Sequence, residues 1–580
     1  MRRQLARRVA RWLGVYAAYQ AFVLALTWPT VAQLTTHGVG GPDKGGRDHL
    51  WFVWWAKQVF WGDEASFGHI TYLNFPDGYA TFSTFHNVFN EIVEQPLHLL
   101  GPPVMVYNLV ILISMALAGV TAYGAARLHV EDRGACLVAG LFFLCAPEIW
   151  GSLNNGESEL VTYYFVPLAY LALVLMVERR SWSLAVGAGV VLALASYGSW
   201  YFGIEMLLFA LLYISFRAAQ AARADGWRSG LRVVALGALA AAVFFVAIGP
   251  HVLMLRHHMH EDVVFTVDVP NIEHFFWPAT PSPGFVPHSV QRVGEASFYS
   301  NHYIGWVLIA LAAFGYVRGR IGDRRLLLVI AGLFFVLALG KFLRWGHRGT
   351  TFGEYLVPLP MMLLYQLRLF RGIHKSYRWI VLVRLLLGIL AAGGLAALAR
   401  GTSRRRALVL GGSAALLVAE FALIGIRPGA MPLERFDASE ESIPSVYRTV
   451  RDDPERVALV ELPATIETRP VSEYLFFQTY HQHPLVGPLA LLLEPSIYAE
   501  VAERYRELEA TCRQLRALAD QPDQQDALRD ELRDARIRYV VYHPTLSSER
   551  IAMKLDIDAI RAAAVSRERA DDGTELFVMY

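Results

Sequence analysis

The chain has 580 residues, with 53 Lys and Arg against 51 Asp and Glu, a formal net charge of +2 and 54% hydrophobic residues. Its mean hydropathy is +0.34. This apolar excess excludes a set of purely soluble domains, and basic residues scattered over loops exclude one nucleic-acid-binding patch. Cys136, Cys145 and Cys512 offer neither a disulfide framework nor zinc spacing.

The first apolar run, 10–33, is too long for a signal-peptide core and lacks a small-residue cleavage site, so it reads as a retained signal-anchor. Further runs near the roughly 20 residues that cross a bilayer fall at 104–126, 134–150, 160–177, 182–199, 201–217, 233–254, 304–317, 325–342, 377–399 and 407–427. The chain is therefore expected to be mainly α, a polytopic transmembrane helical bundle of about 11 spans. Ser196-Tyr197-Gly198-Ser199-Trp200 leaves room only for a tight turn between two spans.

Lys/Arg asymmetry orients the bundle. The N-terminus carries Arg2, Arg3, Arg7, Arg8 and Arg11 without an acid. Alternate loops are basic as well: Arg179 and Arg180; Arg217, Arg223, Arg228 and Arg232; Arg318, Arg320, Arg324 and Arg325; Arg400, Arg404, Arg405 and Arg406. The N-terminus is placed inside, and the long loops 34–103, 255–303 and 343–376 with the tail 428–580 are placed outside. The domain division is 1–427, a transmembrane domain that includes outer loop 34–103, and 428–580. In the tail, 457–462 and 537–542 read as buried strands with charged helices between them, an extracytoplasmic α/β domain.

In the first outer loop, Gly46-Arg47-Asp48-His49-Leu50-Trp51-Phe52-Val53-Trp54-Trp55 sets an acid beside indole rings. Trp favours the membrane interface, so His49–Trp61 reads as an interfacial helix. An acid there either caps the helix or carries function. Asn87–Leu100 reads as a second surface helix. Glu148, Glu157, Glu159 and Glu205 add acids on the same outer side and suggest an acidic cavity. Arg368, Arg371, His374, Lys375 and Arg378 supply the opposite charge. Arg's planar multi-donor head suits phosphate, while lipid-headgroup contact is the plainer role of such a run. Arg47 joins Arg368, Arg371, Lys375 and Arg378 as a substrate- or phosphate-binding candidate. Arg384 and Glu420 each lie roughly 10 Å into a predicted span, and an unpaired charge at that depth is costly, so they are expected to form a structural ion pair. His257, His258 and His260 read as surface histidines. No phosphate-cradling Gly loop and no Ser/His/Asp or Cys nucleophile pattern is present.

Several stretches in order resemble the GT-C-type bacterial membrane glycosyltransferases, which use polyprenyl-phosphate-linked sugars. They are Asp48 before Trp51 and Trp54-Trp55; Phe75-Pro76-Asp77-Gly78; Gln95-Pro96-Leu97; Tyr107-Asn108-Leu109; Ala139-Gly140-Leu141-Phe142-Phe143 with Ala146-Pro147; and Pro167-Leu168. Glu295 before Tyr303-Ile304-Gly305, and Phe370-Arg371 with Tyr377-Arg378, complete the set. The resemblance is to an uncharacterised subgroup. It implies a GT-C-like bundle in the bacterial cytoplasmic (inner) membrane and a part in cell-envelope synthesis. It implies a hexosyl- or pentosyltransferase that moves a sugar from a polyprenyl-phosphate donor to a glycan, lipid or protein acceptor at the outer face. Asp48 then maps to the general base, and Glu157 and Glu159 map to acids that assist or bind a metal, with Mg or Mn as the candidate cation. Arg47 and His49 flank Asp48 where a double-acid motif would place a second acid. A transporter or flippase of a lipid-linked substrate and a non-catalytic GT-C-fold scaffold are the alternatives. The flippase predicts repeated halves and broken midplane helices, whereas the scaffold predicts an Asp48 that is buried as a cap and faces no cavity.

Overall fold

A computed structural model describes residues 2–40, 46–62, 69–80, 87–154, 157–258, 270–277, 302–345, 348–349, 351–352, 355–367, 370, 373, 375–423, 435–465, 468–487, 510–511, 513–515, 517, 525–546, 551–553 and 557–580. Each of the eleven apolar runs contains a helix. The bundle comprises α1 (Arg2–Leu26), α4 (Pro103–His129), α5 (Arg133–Leu144), α6 (Pro147–Asn154), α7 (Phe165–Arg179), α8 (Trp182–Gly198), α9 (Trp200–Asp225), α10 (Trp227–His258), α11 (Trp306–Arg318), α12 (Arg324–Ala338), α14 (Ile380–Leu398) and α15 (Ser403–Leu423). Short helices α2 (Gly46–Trp61) and α3 (Val88–Val93) lie in the first long loop, and α13 (Pro360–Leu364) in the third. Among the described residues, six helices are long and apolar enough to cross a membrane, and α5 with α6 makes a seventh as a bent pair.

That pair is the span expected over 134–150, broken in the middle. The chain breaks between Leu144 and Pro147 and turns by 41°, because Pro147 has no amide to donate and its ring disfavours helical backbone at Ala146. The break brings Glu148 into the protein interior. The tight turn after α8 is present, since Ser199 alone, in extended backbone, separates α8 from α9.

α4 packs against α1, α5 and α7; α8 lies between α7 and α10; α14 packs against α5, α11 and α12. α11 and α14 approach unusually closely. A Cβ on Gly315 would collide with the Leu390 carbonyl, and Gly394 faces Gly315 in the same way. Small residues at such crossings let backbones meet where no hydrophobic drive separates helix from lipid. α14 is largely enclosed, whereas α10 leaves Phe245, Val246 and Leu253 exposed along its outer side.

The basic loops join at one end of the bundle. Arg180 pairs with Asp225 (2.8 Å), Arg217 with Asp323 (3.2 Å) and Arg406 with Asp132 (3.0 Å).

The tail holds a four-stranded sheet in the order β5 (Ser566–Arg569), β6 (Glu575–Val578), β4 (Ile537–Tyr542), β3 (Ala458–Leu462). The two strands read from sequence, β3 and β4, pair in parallel, and the others are antiparallel. β3 is buried along its whole length, as a strand covered on both faces must be. The tail is tied to the first long loop. β1 (His37–Val39) pairs antiparallel with β2 (Arg435–Asp437), and α16 (Thr468–His481) packs on α2. Residues 424–434, which contain the expected domain boundary, lie outside the described residues.

Candidate active site

α2 begins at Gly46, so Asp48 sits in its first turn and is not the N-cap. A carboxylate there gains from the helix dipole. Asp48 is only 4% exposed. The aromatic block behind it is not an interfacial belt. Trp51 and Trp55 are fully buried and stack with centroids 6.0 Å apart. The tail covers them: Trp51 Nε1 donates to Gln478 Oε1 (2.7 Å), while Gln478 Nε2 donates to the carbonyls of Tyr72 (2.7 Å) and His483 (2.9 Å). Arg47 is likewise directed to the tail, pairing with Glu473 at 3.1 Å beside the rings of Phe436 and Phe476.

Glu157 accepts two cations expected as phosphate ligands. Lys375 Nζ lies 3.0 Å and Arg378 Nη2 2.9 Å from the same Oε1. Arg378 is itself buried and lies over the Tyr201 ring at 4.6 Å. Burial opposes the charge on Glu157, but Arg378 and then Lys375 outweigh it and hold the carboxyl down at about 2. The site keeps one carboxylate ionised under two cations. Arg368, Arg371 and His374 lie outside the described residues, as do the side chain of Glu159 and those of His257, His258 and His260.

The expected Arg384–Glu420 ion pair is not formed. Arg384 pairs with Glu148 (Nε to Oε1, 3.4 Å) and donates to the Tyr303 carbonyl. Glu420 instead accepts from the Tyr303 hydroxyl (2.5 Å) and from the amides of Trp306 (2.6 Å) and Val307 (3.3 Å). Gly305, at φ +100°, turns the chain just before α11. The physical reason is that a helix N-terminus presents unpaired N–H groups. Glu420 caps α11 from a neighbouring helix, which leaves Arg384 to the acid that the α5/α6 bend brings inward. Tyr303 links the two through its opposite ends.

A cavity lies between α2, α3 and α4. His49 and Phe52 line it from α2, Asn90 and Glu91 from α3, Glu94 from the residue after α3, and Tyr107 from α4. Val161 closes it, four residues after Glu157. Asp48 is not among its lining residues, although its neighbour His49 is. Glu91 and Glu94 were not singled out from the sequence. The available signal was their spacing of three, which places both on one helix face beside Asn87, whose Oδ1 caps α3 through the Asn90 amide (2.9 Å). Both acids are buried, at 4% and 2% exposure. Burial raises Glu91 well above the usual carboxylate range, with the nearby Glu94 adding to it, and burial pushes Glu94 up to about 8.

Among the described residues no three His, Cys, Asp or Glu side chains converge as a metal site. Glu157, the acid best placed to ligate a cation, is engaged by Lys375 and Arg378. The described residues therefore do not fit a divalent cation here.

No family model matches the chain, and no curated protein sequence matches it. Solved structures do. The arabinofuranosyltransferase AftD from Mycobacteria superposes with a TM-score of 0.56 at 18% identity, over 98% of this chain and 40% of that one. The oligosaccharyltransferase AglB from Archaeoglobus fulgidus gives 0.49 at 11% identity, over 92% and 70%. ArnT from Cupriavidus metallidurans gives 0.49 at 13% identity, over 99% and 98%. This chain spans about two fifths of the length of AftD. The likeness to AftD shows the fold, a polytopic helical bundle with a C-terminal domain, and the long apolar helices fit an integral membrane protein.

Proposed function

We propose that the chain is a membrane glycosyltransferase that takes a sugar from a polyprenyl-phosphate donor and passes it to a hydroxyl acceptor at the outer face. The observation that carries this reading is the convergence of Lys375 and Arg378 on Glu157. A carboxylate already occupies a two-cation anion site, where a donor phosphate would find the same charge complement. The fold shared with an arabinofuranosyltransferase agrees with glycosyl transfer. The basic loops gathered at one end of the bundle support an inside N-terminus, which puts α2 and the tail outside.

In this mechanism Asp48 takes the proton of the acceptor hydroxyl. The acceptor oxygen bonds to the anomeric carbon as the bond from that carbon to the phosphate oxygen breaks. The electron pair leaves on the phosphate, and Lys375 and Arg378 neutralise it. Base and leaving group lie on opposite faces of the sugar ring, so the anomeric configuration inverts. Glu157 holds both cations in place before the donor arrives. Arg368, Arg371 and Glu159 remain proposed contributors on the strength of the sequence alone. No step uses a metal, because the described residues do not form a site for one.

One observation favours a second reading. Asp48 is buried and does not line the described cavity, as a non-catalytic scaffold with this fold would have it. The test is transfer from a panel of radiolabelled polyprenyl-phosphate hexoses and pentoses by the purified chain and by Asp48→Asn. The glycosyltransferase reading expects transfer by the native chain and at least a hundredfold loss in the variant, the usual lower bound for a lost general base (about 10²). Equal transfer by both removes Asp48 from the chemistry. No transfer from any donor, with intact lipid binding, supports the scaffold.

A further inference from the structure

The cavity between α2, α3 and α4 is distinct from the two-cation site, yet the chain connects them. His49 on its wall follows Asp48, and Val161 on its wall follows Glu157 by four residues. A transferred sugar must lie between the base that activates the acceptor and the cations that receive the phosphate. Its polar lining is unusual. Glu94 is 2% exposed, lines the cavity, and its Oε1 has no hydrogen-bond partner among the described residues. A buried acceptor left in this state is costly unless a ligand satisfies it. Asn90 and Glu91 add an amide and a second carboxyl, while Phe52 and Tyr107 give apolar walls. Tyr107 contributes only its ring, because its hydroxyl is committed to the Val39 carbonyl (2.7 Å).

The frame around the cavity is fixed. Gln95 Nε2 donates to the Glu91 carbonyl (2.6 Å), and Trp61 Nε1 donates to Gln95 Oε1 (3.0 Å), which binds the end of α2 to the end of α3. The described lining contains no Lys or Arg, and His49 is its one basic side chain. Such a surface gives a buried anion no cation to neutralise it and offers hydrogen bonds above an apolar floor, the combination that suits a sugar ring with its hydroxyl edge and its C–H face.

We propose that this cavity is the subsite for the transferred sugar and takes a neutral, hydroxyl-bearing ring, with Glu91, Glu94 and Asn90 reading its hydroxyls and excluding sugars that carry a carboxylate or a second phosphate. The proposal rests on the glycosyltransferase reading above and adds the class of sugar to it. The raised positions of Glu91 and Glu94 agree with it, since carboxyl groups that hold their protons both donate and accept. An amine-bearing sugar would instead need an ionised partner there.

The experiment is ligand binding to the full chain in lipid nanodiscs. The ligands are methyl polyprenyl phosphate, a sugar-free diester of the same charge as the neutral-sugar donors, and the glucosyl, mannosyl, arabinofuranosyl and glucuronyl polyprenyl phosphates. At least one neutral sugar diester is expected to bind tenfold or more tighter than the methyl diester, and the glucuronyl diester is expected to show no such gain. Glu94→Ala should erase the gain while leaving methyl-diester binding unchanged, which also shows that the variant folds; Glu94→Gln, which keeps a donor and an acceptor, should retain most of it. The proposal is overturned if no neutral sugar adds affinity, if the gain survives Glu94→Ala and Glu91→Ala together, or if the glucuronyl diester gains equally. Failure of the underlying reading looks different: no diester binds at all, and Arg378→Ala changes nothing, which removes the donor and the subsite together.

Discussion

Glu157 and Glu94 are both largely withdrawn from water, yet their surroundings drive them to opposite states. Glu157 meets two cations within 3.0 Å and is held ionised. Glu94 lies in a cavity whose described lining offers it no Lys or Arg, and burial holds it neutral up to about pH 8. Burial alone would treat the two alike. What separates them is the charge that each neighbouring segment brings: residues 375–378 at the start of α14 on one side, α3 on the other. One region is prepared for an anion and the other for an uncharged polar ligand, the division of labour that a sugar phosphate demands.

The largest expected effect comes from breaking the cationic side. Arg378→Ala leaves Glu157 with Lys375 alone, and removing one partner from a buried ion pair costs about 3 kcal/mol. Thermal unfolding in detergent should show a correspondingly lower Tm, and binding of polyprenyl phosphate should fall by more than tenfold. Arg378→Lys keeps the charge but loses the planar head, so it should recover stability better than binding.

Acid and base titration sharpens the contrast, because the two acids give opposite signs. The proton on Glu157 is lost more easily in the folded chain than in the unfolded one, where 4.5 is ordinary. Its contribution to stability is therefore complete above pH 4.5 and disappears as pH falls toward 2. Glu94 behaves in reverse. Between pH 4.5 and about 8 the folded chain keeps a proton that the unfolded chain has released, so stability falls as pH rises through that window and levels off above it. Glu94→Gln should flatten the decline between pH 5 and 8, and Glu157→Gln should flatten the loss below pH 4.5. Unfolding curves across pH check both, and a Glu94→Gln curve parallel to the native one would contradict the neutral assignment.

A smaller effect follows from the carboxylate that already fills the anion site. Glu157→Gln removes a competing charge while keeping the shape of the side chain, so polyprenyl phosphate should bind several-fold tighter by direct titration. Weaker binding would show that Glu157 serves only to hold the cations in place. The smallest effect is expected at the opposite end of the bundle. Arg180 and Asp225 are both well exposed, and pairs of that kind contribute about 0.5 kcal/mol. Arg180→Ala should leave Tm and lipid binding nearly unchanged.

The bundle was legible in the sequence because lipid leaves the backbone few options: an apolar run of spanning length must satisfy its own amides, and a helix does so. β3 and β4 were legible as short unbroken apolar strands for a similar reason, since burial on both faces removes alternation. The site was less so. Lys375, Arg378 and Glu157 could be read as chemically matched, but their convergence depends on how the start of α14 packs beside the loop after α6. Arg384 and Glu420 were matched by depth alone, and depth does not say which neighbour each side chain faces. Tyr303 and the bare amides of α11 took Glu420, while the bend at Pro147 delivered Glu148 to Arg384. Trp51 and Trp55 have the composition of an interfacial belt, and only the docking of α16, whose Gln478 lies 427 residues beyond Trp51, puts them inside. Glu91 and Glu94 sat unnoticed in a short helix because their cavity is made by α2 and α4, not by their own sequence.

The central claim, that this fold performs glycosyl transfer with Asp48 as the base, is tested most directly by transfer from a polyprenyl-phosphate sugar with native chain and Asp48→Asn compared at equal occupancy by donor. The account predicts unchanged donor binding with transfer reduced at least about a hundredfold. Unchanged transfer by Asp48→Asn would contradict it.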